Sequence, residues 1–266
     1  MDSETNVRIA VAGAAGRMGR RLCALTVESD RATLAAALEG PGHAMLGEAA
    51  APGSEVVITE AFEGGADVLI DFTTAEATGR LVDLAVERST AMVIGTTGLD
   101  AATEGRIADA SATIPILKAS NFSLVVNVMT RLASEAAKML GPDYDVELLE
   151  AHHRFKRDAP SGTALSIARA ICEATGRSFD DDVRFERHGG EAERRAGEIT
   201  VQALRLGDTV GEHTVYFGAL GERMELRHVG GSRDSYAGGA VHGAVWLAGR
   251  PAGLYGMADV LGIGAA

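Results

Sequence analysis

The sequence predicts an α/β fold: a doubly wound parallel sheet, then a second α+β domain whose sheet is mostly antiparallel or mixed. Three observations carry this. Short apolar runs alternate with helical patterns from Val7 to about Leu117, the signature of strand–helix–strand units with a parallel sheet. The first run ends in a glycine-rich turn, Ala12-Gly13-Ala14-Ala15-Gly16-Arg17-Met18-Gly19, that opens a helix. After Ser123 the rhythm changes to a long helix, a strand, another helix and three long alternating runs.

Val7, Ile9 and Val11 form the first strand. The turn after it spaces its glycines as G-x-x-G-x-x-G, one residue longer than the usual G-x-G-x-x-G. Met18, Leu22 and Leu25 share one face of the helix that follows. Glycines there let backbone approach a pyrophosphate, which sits on the helix N-terminus. A second strand, Thr33 to Leu38, ends at Glu39, twenty residues after Gly19. A carboxylate at that place accepts hydrogen bonds from an adenosine ribose diol. Together these make a Rossmann-type dinucleotide site. Gly40 follows Glu39, so no base stands beside it to meet a 2′-phosphate, although Arg17, Arg20 and Arg21 are near in sequence. NADH is therefore expected to serve at least as well as NADPH.

The alternation continues with a short strand at 56–58, a stronger one at 66–72, a helix at 75–87 and a strand at 91–95. A helix near 101–110 and a strand at 114–117 complete it. Three strand ends carry small polar residues: Asp71-Phe72-Thr73-Thr74, Gly95-Thr96-Thr97-Gly98 and Ala119-Ser120-Asn121-Phe122. Singly each is ordinary turn chemistry. As a series on one rim they are expected to line the nicotinamide pocket.

In the second half, Leu124 to Leu140 is one helix, stopped by Gly141-Pro142. Tyr144 to Ala151 is a strand, and Ser161 to Thr175 a helix with Ala164, Leu165, Ala168, Ile171 and Cys172 as its apolar stripe. The charged residues 177–196 are expected to form a mobile excursion. Glu198–Leu206, Thr209–Ala219 and Glu222–His228 follow as an antiparallel meander. The chain returns to helix from about Ser232 to Leu247, with a weaker final element at 253–261.

Between strand and helix lies Glu150-Ala151-His152-His153-Arg154-Phe155-Lys156-Arg157-Asp158-Ala159-Pro160-Ser161-Gly162-Thr163-Ala164. Its cations stand in a chain of formal net charge -12, and such a local reversal of sign suits an anionic ligand. The helix start at Ser161 offers unpaired N–H groups and a favourable dipole to that anion. Strand geometry sends His152 and His153 to opposite faces, so one can supply a proton and the other bind. Zinc is a poor match, because no Cys, Asp or further His stands at ligand spacing. His43, His188, His213, His228 and His242 lack such company and stay unassigned.

Composition narrows the class. A pI near 5.0 argues against general nucleic-acid binding, and no apolar run approaches the ~20 residues of a membrane span. The acidic N-terminal segment is not expected to be a signal peptide. Two distant cysteines, Cys23 and Cys172, are expected as buried thiols in a reducing compartment, with cytoplasm as the location.

The motifs G-x-x-G-R-M-G, D-F-T, G-T-T-G, N-F-S, E-A-H-H-x-x-K-x-D-A-P-S-G-T-A and G-D-x-V-G-E-H-T at 207–214 together resemble 4-hydroxy-tetrahydrodipicolinate reductase, also called dihydrodipicolinate reductase. The resemblance spans nearly the whole chain. It implies NAD(P)H-dependent reduction of a cyclic imine dicarboxylate in the diaminopimelate route to lysine. It implies that His152 is the general acid, and that Lys156 assists proton delivery and holds a carboxylate. His153, Ser161, Gly162 and Thr163 would bind substrate. Gly13, Arg17, Met18 and Glu39 would hold the adenosine and pyrophosphate side, and Gly95, Thr97, Ser120 and Phe122 would border the nicotinamide. It further implies a homotetramer, with residues 124–232 as the substrate and oligomerisation domain and 233–266 folding back onto a dinucleotide domain of 1–123. The competing readings are another two-domain dehydrogenase of amino-acid type and a dinucleotide-sensing regulator. Against the regulator, binding alone has no need of His152 beside Lys156.

Overall fold

The computed structural model describes residues 6–190 and 192–263. The first five residues of the acidic N-terminal segment, Glu191 and the last three residues of the returning segment lie outside them. The chain divides into two compact units, one of residues 6–124 with 233–263 and the other of 125–232.

In the first unit the elements are β1 (Val7–Ala12), α1 (Arg17–Val27), β2 (Ala32–Leu38), β3 (Ile58–Thr59), β4 (Val68–Asp71), α2 (Ala75–Glu87), β5 (Ala91–Ile94), α3 (Ala101–Ala110) and β6 (Pro115–Lys118). The second unit holds α4 (Leu124–Leu140, its first residue in the first unit), β7 (Asp145–His152), α5 (Gly162–Thr175), α6 (Phe179–Asp182), β8 (Val183–Arg184), β9 (Ile199–Arg205), β10 (Gly211–Ala219) and β11 (Glu222–Gly230). The chain then re-enters the first unit with α7 (Asp234–Leu247), β12 (Gly253–Tyr255) and α8 (Met257–Val260).

The first sheet runs β12-β6-β5-β4-β1-β2-β3, and every neighbouring pair is parallel. Its central strands are covered on both faces, which is why β4 and β5 read as unbroken apolar runs with all four residues buried. Strand order reverses beside β1, between β2 and β4, the place where such sheets bind ligands beyond their carboxyl ends. Caps fix the helix starts: Thr74 accepts from the Ala77 N–H and Asp100 from the Thr103 N–H. Helix α7 lies hard against this sheet because it presents glycine. A Cβ at Gly243 would stand 2.6 Å from the Leu117 side chain of β6, and one at Gly239 would stand 1.8 Å from the Phe122 carbonyl oxygen just beyond that strand.

The second sheet runs β11-β10-β7-β9-β8. Here the expected meander is wrong. β10 pairs antiparallel with both β11 and β7, while β9 pairs parallel with the other edge of β7. Helix α5 provides the crossover that a parallel pair requires, and an alternating run reads the same whichever neighbour it takes. One face of the sheet, with Val146, Leu148, Val201, Val215 and Phe217, packs on Ala133 and Ala137 of α4 and on Ile167, Ala168 and Ile171 of α5. The charged segment expected as an excursion is partly regular among its described residues. It contributes α6 and β8, and Arg187 binds Glu147, Glu198 and Thr200 while Arg194 pairs with Asp145 and Glu147.

Candidate active site

Strand β7 carries the candidate residues Glu150 and His152. Its alternation puts Glu150 and His152 on one face, and pairing brings Glu150 opposite His213 of β10 and His152 opposite Arg205 of β9. Glu150 is fully buried. Its Oε2 lies 2.5 Å from His152 Nδ1. Arg205 donates to both of its oxygens at 2.9 Å, and the Ser161 N–H donates to Oε1 at 3.0 Å. Burial opposes the charge, but hydrogen bonds from His152 and Arg205 outweigh it and hold the Glu150 carboxyl at about 2.

Ser161 is the N-cap of α5: its Oγ accepts from the Ala164 N–H and lies 3.1 Å from His213 Nε2. The anion at this helix start is therefore Glu150 itself. Ser161 has its N–H engaged and its side chain buried, which corrects the expectation that it grips a substrate carboxylate through that N–H. Exposed Gly162 and half-buried Thr163 stand at the open side of the same turn.

His213 has no chemically suggestive neighbours in the sequence, and the fold supplies them. Its ring meets that of His152 edge-on at 5.4 Å and stacks on His228 at 6.0 Å. Burial, with the positive fields of His152 and His228, pushes His213 down to about 3, so it is neutral near pH 7. The sequence hint was its place in G-E-H-T. Arg205 carried no hint, because it reaches Glu150 across 55 residues.

Lys156 donates to both carboxylate oxygens of Asp158, at 2.9 and 2.8 Å, which holds the Asp158 carboxyl below the ordinary range. The Asp158 carbonyl accepts from Arg205 at 2.7 Å. His153 is half-buried beside Phe155, and among the described residues its Nδ1 has no hydrogen-bond partner. Arg154 and Arg157 are exposed.

In the first unit a cavity of about 590 Å³ opens beside the glycine turn, lined by Gly13, Gly16, Glu39, Gly40, Thr73 and Arg80 among others. That volume falls within the usual range of small-molecule sites, about 300–1,000 Å³. Gly13 has φ +75°, a conformation suited to glycine, and a Cβ on it would touch Thr73 at 3.0 Å. A Cβ at Gly19 would stand 2.0 Å from the Gly13 carbonyl oxygen, so that glycine serves the close approach of α1 to the turn. Glu39 Oε2 accepts from the Ala15 N–H. The cradle, the cavity and the carboxylate at its edge fit the adenosine side of a dinucleotide.

Arg17 is exposed at the start of α1, and Met18 is half-buried against the sheet core. Arg21 is bound bidentately to Asp234, which removes it from the cations considered for a 2′-phosphate. Arg80 and His43 line the cavity instead, together with a second carboxylate, Glu60.

Of the residues expected around the nicotinamide, Thr97 and Ser120 are exposed on their rims and Gly95 is half-buried. Phe122 is buried in the core. Phe72 packs against it at 5.6 Å, and the Phe72 ring occupies the space over Gly95. Asp71 of D-F-T is a loop organiser: it accepts from the Thr73 N–H and from the Thr73 and Thr78 hydroxyls. Both cysteines are free and buried, and burial pushes Cys23 to about 12.

Comparison with known proteins shows the family. Residues 7–122 match the family model described as dihydrodipicolinate reductase, N-terminus, and residues 125–261 the one described as its C-terminus. A 4-hydroxy-tetrahydrodipicolinate reductase of Anaeromyxobacter sp. (strain Fw109-5) is 47% identical over 97% of this chain and 98% of its own. That of Myxococcus xanthus is 44% identical over 96% and 98%. The dipicolinate-bound dihydrodipicolinate reductase from Paenisporosarcina sp. TG-14 superposes with TM-score 0.77 at 25% identity, covering 96% of this chain and 99% of that one. With both halves of the fold matched and nearly every residue aligned, the chain belongs to the dihydrodipicolinate reductase family.

Proposed function

We propose that this protein reduces 4-hydroxy-tetrahydrodipicolinate to tetrahydrodipicolinate with NADH or NADPH, in the diaminopimelate route to lysine. The observation that carries it is that one chain holds both a dinucleotide cradle in its first unit and, in its second, a buried Glu150–His152 couple followed by Lys156 and a helix start. Substrate and product differ by one hydroxyl, so one hydride and one proton are delivered as water leaves. The nicotinamide supplies the hydride when bound. His152 supplies the proton, a role that contributes about 10²–10⁴-fold.

The substrate carries two carboxylates. Lys156 offers them positive charge, and Gly162 and Thr163 stand at the start of α5, where the helix dipole favours an anion. His153, whose Nδ1 has no hydrogen-bond partner among the described residues, is the further substrate-binding group. That the Paenisporosarcina relative holds dipicolinate, a dicarboxylate, supports this reading. Glu39 receives the ribose diol, Gly13 and Arg17 the pyrophosphate, and Thr97 and Ser120 border the nicotinamide.

The working unit is a homotetramer in the cytoplasm. The sheet face away from α4 and α5 carries exposed Leu204 and Val229, and α4 exposes Val125, Val128, Leu132 and Met139, apolar surface of the kind that subunits cover. No described helix is long and apolar enough to cross a membrane. The deciding assay adds freshly generated synthase product to purified protein and NADH. Loss of absorbance at 340 nm is expected, and its absence ends the reductase reading.

A further inference from the structure

We propose that Glu150, clamped by Arg205, is the positioning residue of this site: it holds the proton on His152 Nδ1 and reserves Nε2 for delivery to substrate. The proposal rests on the reductase reading for what His152 does, and on geometry for how it is held.

An ionised carboxylate is only an acceptor. Glu150 Oε2 is 2.5 Å from Nδ1, so the nitrogen facing it bears the hydrogen. When His152 then acts, the Nε2–H bond breaks and its electron pair stays on Nε2. The proton forms a C–H bond with the electron pair that hydride addition has built on the substrate. The imidazole left behind is the Nδ1–H tautomer, and its bond to Glu150 is intact throughout. Without Glu150 the neutral ring has two tautomers, and only one faces correctly.

Arg205 makes this possible. A buried carboxylate without a partner is costly, and the planar guanidinium fork answers both oxygens at 2.9 Å. That fixes the carboxylate plane, with Oε2 toward His152 and Oε1 toward the Ser161 N–H. The same guanidinium donates to the Asp158 carbonyl, and the Asp158 side chain holds Lys156. One cation thus sets the histidine and the loop that carries the lysine. His213 closes the remaining side edge-on.

The test uses full-length protein labelled with 15N-histidine. Long-range 1H–15N spectra of the wild type are expected to show His152 as the Nδ1–H tautomer, and an Nε2–H tautomer overturns the proposal without any variant. Glu150→Gln is expected to lose that signature and to lower kcat about 10²- to 10³-fold, with substrate KM changed by no more than about threefold. A kcat near wild type, or kcat and both ligand affinities falling together, overturns the proposal. Arg205→Lys keeps the charge and loses the fork. It is expected to fall between the two, and it decides the kinetics if Glu150→Gln does not fold. A wild type that never oxidises NADH with substrate removes the reductase reading, yet the tautomer spectrum still decides the positioning.

Discussion

The Glu39 carboxylate accepts a hydrogen bond from the Ala15 N–H at 3.0 Å, which ties the end of β2 to the glycine turn after β1. Glu39→Gln keeps the shape and an acceptor but loses the charge. A charged hydrogen bond contributes about 1.5–3 kcal/mol against about 0.5–1.5 for a neutral one. KM for NADH should therefore rise about tenfold, while NADPH, whose 2′-phosphate the carboxylate repels, should lose less. Parallel kcat/KM measurements check this, and an unchanged NADH/NADPH ratio contradicts it.

Gly95 and Gly105 make a matched pair of glycine tests. A Cβ at Gly95 would stand 2.2 Å from the Phe72 ring, whereas nothing lies within 4 Å of one at Gly105. Gly95→Ala must push Phe72 off its seat, at a cost of about 1–3 kcal/mol, and should weaken NADH binding. Gly105→Ala, in the exposed middle of α3, should stabilise by about 0.4–1 kcal/mol. Thermal melts with an NADH titration distinguish them.

Acid should destabilise the second unit in two stages. Folded His213 titrates at about 3, against about 6.5 when unfolded. Through that interval the unfolded chain binds a proton that the folded chain refuses, so stability is full above pH 6.5 and falls as pH drops. The slope from this one group approaches 1.4 kcal/mol per pH unit, an order-of-magnitude figure. His228, also lowered by burial, adds in the same sense. Below about pH 4.3 the unfolded glutamate begins to bind a proton as well, while folded Glu150 resists to about 2. Urea midpoints at pH 7.5, 6, 5 and 4 measure this. A flat profile between pH 7 and 5 would falsify the buried neutral His213.

His152 and Lys156 should separate kinetically. His152→Ala should cut kcat far more than it raises KM, by about 10²–10⁴-fold if proton donation is its role. Lys156→Ala should damage both parameters, and a wild-type KM would contradict its carboxylate contact. Asp158→Asn frees the ammonium that Asp158 now holds and removes an anion facing a dicarboxylate. Substrate KM should fall.

The sequence by itself determined the alternation of β1 to β6, the long α4, the start of α5 at Ser161 and the glycine turn. Periods of two and 3.6 residues, caps and glycines are local, so each shows within a few positions of itself. It also marked His152 and Lys156, because their company is within one loop. The tertiary structure alone decided that β9 lies parallel beside β7 rather than next to β10. That choice depends on a crossover, which leaves no trace in the alternation of β9. The same choice puts Arg205 on Glu150, and the pairing of β10 puts His213 against His152. It also turned the helix start at Ser161 into a seat for Glu150 from the chain's own β7. Partners so far apart along the chain meet only through strand register, which the packing of a whole face sets.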